Sequence, residues 1–152
     1  MTYIVGYQKF IDALVTREIR MPVDSGGNAV GCELATIGGI TYCSIPTGFA
    51  VPASQPAEIA ASVATVALDA ALRAAIKAAS PHCQLVKARR KERILAAGYT
   101  PEDQLAFLHM ASGAAAGLVV LTAEQAAALA AYVARCKKDD AWAASQYEAL
   151  GL

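Results

Sequence analysis

The residues best suited to chemistry in this chain are its thiols, its single His-Cys pair and one short run of cations. His82-Cys83 follows Ser80-Pro81, a helix start, so the thiol falls in a first helical turn. The helix dipole favours a thiolate there, and a thiolate is a nucleophile. Neighbouring residues on a helix point in different directions, however, and no Asp or Asn is identifiable as a partner to orient His82 as a base. Cys32, Cys43, His82 and Cys83 together offer four zinc-type donors, but the four cysteines, Cys136 included, form no CxxC pair, and the spacing fits no standard zinc module. GGNAVG, residues 26–31, lacks the GK[ST] ending of a phosphate loop and reads as a turn. KARRKER, residues 87–93, sets five basic side chains and one Glu in two helical turns, enough to meet phosphates. With zero net charge and no interleaved aromatics, the run reads as a solvated helix face whose cations suit the C-terminal half of the dipole. Neither a catalytic residue, a metal, a cofactor nor a nucleic-acid partner is expected.

The elements that would position such residues divide by texture. Residues 1–53 are rich in Val, Ile, Thr, Tyr and Gly with turn signals, and residues 54–152 are rich in Ala and Leu with helix caps. A chain of 152 residues can bury one respectable core, so a single compact unit is expected from the two regions. Hydrophobic residues reach 56%, above the roughly 45–50% of an average soluble chain. The excess is mostly alanine, which lets helices approach closely. The fold class expected is α+β, an N-terminal antiparallel hairpin or meander followed by a C-terminal bundle of about four helices.

CELATIGGITYCSIP reads as two strands joined at Gly38-Gly39, a loop suited to a primed turn. That register sets Ile37 opposite Ile40, Ala35 opposite Tyr42 and Leu34 opposite Cys43. Cys32 then shares a face with Cys43 on a long diagonal, so both thiols should be free. VTREIRMPV is the candidate third strand, with Pro22 at an edge, and residues 7–15 read equally as helix or strand. The segment from Pro56 to Ala79 reads as one helix. Glu58, Ser62, Thr65, Asp69, Arg73 and Lys77 fall on a narrow polar stripe, and Val63, Val66, Leu68, Leu72 and Ile76 spread over the rest. A helix that apolar needs cover on most sides. Ser80-Pro81 opens the next helix, which Gly98 ends; Thr100-Pro101 opens the third; Thr122 with Gln125 forms a capping box for the last, with a bend expected near residues 137–140.

From Gln104 to Ala123 there is no Asp, Glu, Lys or Arg. Twenty uncharged residues containing Gly113 and Gly117 in GxxxG spacing have about the length of a membrane span. Helix caps at both ends divide the run, with a break near Gly113 to Gly117, and the flanking charges Asp103 and Glu124 are acidic where membrane helices carry Lys or Arg. The run is therefore expected at a buried or subunit-interface position in a chain that needs no detergent. No basic segment precedes an apolar core at MTYIVGYQKF, so synthesis in a reducing cytoplasm is expected.

ARRKERILAAGYTPEDQ, the Ala-rich helix after it and LTAEQAAALAAYVARC resemble the small helical domain found near the C-terminus of bacteriophage tail-fibre and tail-assembly proteins. ELATIGGITYCSIPTGFAVPASQP is similar to hairpin-and-proline segments of phage tail accessory proteins. The resemblance spans about half the chain. It implies a non-enzymatic virion component, a tail, baseplate or connector accessory protein, made in the host cytoplasm and acting through contacts with copies of itself and with other virion proteins. A tail-fibre assembly chaperone and a membrane-active lysis protein are the alternatives. The candidate contact residues are Val63, Val66, Leu68, Leu72 and Ile76 on the 56–79 segment, Leu105, Leu108, Gly113 and Gly117 in the uncharged run, and Tyr42 on the hairpin.

Overall fold

A computed structural model describes every residue from Met1 to Leu152. The fold is α+β, with an antiparallel sheet preceding the helices. The chain separates into two compact units, one of Met1–Leu85 with Gln146–Leu152, the other of Val86–Ser145. The boundary expected at 53/54 and the single compact unit are both corrected. The first helical elements belong with the sheet because their apolar side chains cover it.

In the first unit, strands β1 (Thr2–Tyr7), β4 (Cys32–Ile37), β5 (Ile40–Pro46) and β6 (Ala64–Val66) form one sheet in the order β4-β5-β1-β6, while β2 (Phe10–Ile11) and β3 (Thr16–Arg17) pair separately. The β4–β5 hairpin turns at Gly38 and Gly39, whose φ of 58° and 81° only glycine adopts freely. Ile37 faces Ile40 and Ala35 faces Tyr42, as the turn requires. Beyond that the register shifts between Glu33 and Ala35, so that Glu33 meets Cys43 and Cys32 meets Ser44. Leu34 occupies the bulge and is buried. The shift moves Cys32 to the face opposite Cys43, where the sequence placed both thiols on one face. All four thiols are free.

β1 lies at the centre of the sheet, pairing with β5 on one side and β6 on the other. The segment expected as third strand supplies only the two residues of β3, and residues 7–15 contain strand rather than helix. Alternation along β1 serves two layers. Ile4 joins Leu34, Tyr42, Ile76, Cys83 and Leu152 on one face. Val5 and Tyr7 join Ile19, Cys43, Ile45 and Ile59 on the other.

The single helix expected over 56–79 is replaced by a turn of helix α1 (Ala57–Ala60), strand β6 and helix α2 (Ala70–Ala79). Val63, Thr65 and Val66 are β-branched and suit a strand, and the open side of β1 gives Ala64–Val66 a pairing partner. Gly6 permits this approach, since a Cβ there would stand 3.0 Å from Val66 Cγ2. Asp69 then restarts the helix, its carboxylate accepting the Leu72 N–H at 2.7 Å.

The second unit contains most of helix α3 (Pro81–Ala96), all of α4 (Pro101–Ala115) and most of α5 (Ala123–Ala149). Thr100 and Asp103 form a reciprocal capping box at the start of α4, and Thr122 and Gln125 do the same for α5. Gly117, at φ 70°, ends α4. Its N–H bonds to the Ala114 carbonyl and that of Leu118 to Gly113, the paired bonds of a Schellman motif. α5 runs without interruption through residues 137–140, where a bend was expected. Arg135 grips Asp139 one turn later and straps that stretch in helical form. No helix is long and apolar enough to cross a membrane.

Candidate functional site

Helix α4 presents a mismatch between composition and cover. Its only charges are Glu102 and Asp103 in the first turn, and none of its residues is buried. A helix apolar on all sides is ordinarily an interior one. The uncharged character continues beyond the turn into α5, so that from Gln104 to Ala134 the one formal charge is Glu124. Leu105 is 53% exposed, Leu108 59%, Leu118 82% and Val120 94%.

Between α4 and α5 lies a groove of about 470 Å³, lined by Leu105, Phe107, Leu108, Leu129, Tyr132 and Val133 among others. Phe107 and Tyr132 stack with ring centroids 4.8 Å apart, and Tyr99 meets Tyr132 edge-on at 5.1 Å. Such ring pairs hold a fixed geometry and stiffen the groove. Hydrogen bonding with the Cys136 thiol, then burial, pushes the Tyr132 hydroxyl above its ordinary pKa.

A polar knot ties α3 to α5 within the second unit. The Asp139 side chain is wholly buried. Arg93 Nε donates to its Oδ1 at 2.9 Å, Arg135 Nε donates to Oδ2 at 2.6 Å, and Arg135 Nη2 reaches both Oδ1 at 3.1 Å and the Arg93 carbonyl at 2.9 Å. Burial alone would raise the Asp139 pKa; the hydrogen bonds and charges of the two guanidiniums bring it below the usual carboxylate value. Arg93 also lies over the Trp142 ring at 4.8 Å, and Arg90 Nε pairs with Asp140 at 2.6 Å. Two arginines of the KARRKER run are thus engaged within the unit, as structural ties between α3 and α5.

Most of the contact residues expected from sequence serve the first unit's interior. Tyr42 and Ile76 are buried in the sheet core, Val66, Leu68 and Leu72 pack against the same cluster, and Val63 packs on the opposite face. They are corrected from contact surface to core, because the 56–79 segment folds onto the sheet instead of projecting a helix. Gly113 and Gly117 are corrected too. They build the α4 cap, and Val119 of the same chain covers Gly113, its Cγ2 only 3.2 Å from where a Cβ would be. Leu105 and Leu108 remain on the surface. Leu118 and Val120 lie in the uncharged run already read as a contact segment, whereas the groove's aromatic floor and the exposure of Val133 were missed, although the near absence of charge as far as Ala134 was there to read.

The other candidate sites offer little chemistry. A cleft of about 580 Å³ in the first unit is lined by Gly6, Tyr42, Glu58, Ser62 and Val66, among others. Glu58 is paired with Arg17, and Ser62 Oγ accepts the Gln8 N–H and donates to the Ile59 carbonyl. Burial pushes the Cys43 thiol up to about 12 and raises Cys32 as well, so neither is a thiolate at neutral pH. Cys83 is fully buried beneath Leu34 and Ile76, out of reach of a substrate. No three His, Cys, Asp or Glu side chains are grouped to hold a metal ion. No protein-family model, curated protein or solved structure matches the chain.

Proposed function

We propose that the chain is a non-enzymatic structural component of a bacteriophage particle, a tail, baseplate or connector accessory protein that works by holding neighbouring chains together. The observation that carries this reading is the exposed, almost uncharged surface of α4 and the first half of α5, with Leu105, Leu108, Leu118 and Val120 open to solvent. Large apolar side chains left open on a nearly uncharged stretch belong at a protein contact. The resemblance of the same stretch to the helical domain of phage tail proteins supplies the particle. In this reading the first unit, buried on both faces of its sheet, is the rigid body, and the second carries the contacts.

Quantitative mass spectrometry of gradient-purified particles tests the proposal. The chain is expected at a fixed copy number per particle, retained through high-salt washing. Its absence from finished particles, with presence in the infected-cell extract, would overturn the structural role and leave the assembly-chaperone reading in its place.

A further inference from the structure

We infer that the exposed cations of α3 and α5 form a site for single-stranded nucleic acid, with lysines and Arg89 meeting phosphates and Trp142 offering a surface on which a base stacks. This goes beyond the virion reading and does not depend on it.

The fold joins two basic runs that are distant in sequence. Arg93 Nε reaches Asp139 at 2.9 Å and Arg90 Nε reaches Asp140 at 2.6 Å, which sets residues 87–93 of α3 beside residues 135–140 of α5. These two stretches hold eight of the chain's 13 Lys and Arg but only three of its 13 Asp and Glu, a net charge of +5 in a chain that is neutral overall. Neutrality of the whole therefore conceals a strongly cationic region.

Within that region Asp139 and Asp140 are taken up by Arg90, Arg93 and Arg135. Lys87, Arg89, Lys91, Lys137 and Lys138 are exposed and make no ion pair. The helix dipole accounts for cations in the C-terminal half of α3. It gives no such benefit to Lys137 and Lys138, which stand in the interior of α5. Uncompensated cations on adjoining helices repel one another, and a phosphodiester backbone relieves that repulsion while releasing its own counterions.

Trp142 selects the class of polyanion. Half-buried, with Arg93 over its ring at 4.8 Å, it lines a groove of about 340 Å³ together with Arg89, Glu92 and Ala96. Cations beside an accessible aromatic ring suit a single strand, whose unpaired bases stack while its phosphates are neutralised. A duplex keeps its bases stacked inside and makes no use of the ring. An acidic peptide meets the cations and leaves the indole bare.

Fluorescence anisotropy of the whole chain with labelled oligothymidylate and oligouridylate tests the inference, read beside the emission of Trp142, the single tryptophan. At low salt both strands are expected to bind and to quench Trp142, and the tighter of the two names the sugar. With five cations engaged, log affinity should fall against log salt with a slope of about −3.5. The double variant Lys137→Ala, Lys138→Ala should bind on the order of tenfold more weakly with a slope of about −2, its far-UV circular dichroism unchanged because both side chains are exposed. A wild type that binds neither strand at low salt, or a double variant that binds as tightly as wild type, would overturn the site. Binding without any change in Trp142 emission, matched by polyglutamate or by phosphatidylserine vesicles, would overturn its assignment to nucleic acid. The two proposals fail separately. A chain built into particles that binds no strand loses this site alone, and a chain that binds strands but is absent from finished particles loses the virion role alone.

Discussion

Of the sixteen apolar residues that the fold buries, thirteen lie in the first unit and three, Val86, Ile94 and Ala143, in the second, though the second holds 60 residues against 92. The first unit covers both faces of its sheet with its own chain. In the second, cohesion comes from helix caps, three aromatic rings in mutual contact and a buried carboxylate between two arginines, while Leu105, Leu108, Leu118 and Val120 lie exposed. Buried ion pairs fix geometry well but add little net stability over apolar packing. The contrast separates a part that buries its apolar side chains within its own fold from a part that leaves many of them open.

The widest gap should appear on truncating comparable side chains. Ile76→Ala removes a fully buried side chain from the sheet core and should cost about 3–4 kcal/mol. Leu108→Ala, at 59% exposure, should change stability by less than about 0.5 kcal/mol. Urea denaturation measures both, and equal costs would erase the distinction between the units.

Within the second unit the polar knot is the weak point. Arg135→Met leaves the buried Asp139 with Arg93 alone and should destabilise the unit by about 3 kcal/mol. Hydrogen exchange should quicken across residues 86–145 while β1 and β5 keep their protection. Uniform quickening over both units would show that the knot supports the whole chain.

Acid should separate the units in the same sense. The pKa of Asp139 is lowered in the folded chain, so its stabilising contribution is present above its unfolded value of about 3.9 and is lost as pH falls through the lower folded value. The first unit buries no Asp or Glu side chain. Trp142, the single tryptophan, lies against Arg93 beside the knot. Its fluorescence should shift below about pH 4, and Asp139→Asn should abolish that titration. Emission that is flat to pH 2 in the wild type would contradict the assignment. The smallest effect is expected at a cap. Thr122→Ala loses the hydroxyl that accepts the Gln125 N–H and should cost about 1 kcal/mol, read as a lower melting temperature.

What was legible in the sequence followed from how local each signal is. Gly38-Gly39, Thr100 with Asp103, Thr122 with Gln125, and Gly98 each act within one turn, and each stands where its type and spacing placed it. β1 and β6 were not legible, because Thr2–Tyr7 is flanked by no turn signals and Ala64–Val66 becomes a strand only beside a β1 that lies some 60 residues earlier. The stripe of polar residues over 58–77 matched a helical period by coincidence of spacing, and tertiary pairing overrode it. The bulge at Leu34 carries no glycine or proline to announce it, yet it decides which face Cys32 occupies. Leu105 and Leu108 were picked out through lack of charge, a property of composition, and both lie exposed, whereas the aromatic floor of the groove depends on how α4 meets α5.

The central claim is that the first unit covers both faces of its sheet with its own chain while the second leaves large apolar side chains open. Hydrogen exchange of the full-length wild type, followed residue by residue, tests it most directly. Amides in β1, β4 and β5 should be the most strongly protected, and those in the α4 and α5 segments between Gln104 and Ala134 should exchange faster. Equal protection in the two units, or stronger protection over 104–134 than in the sheet strands, would contradict the claim.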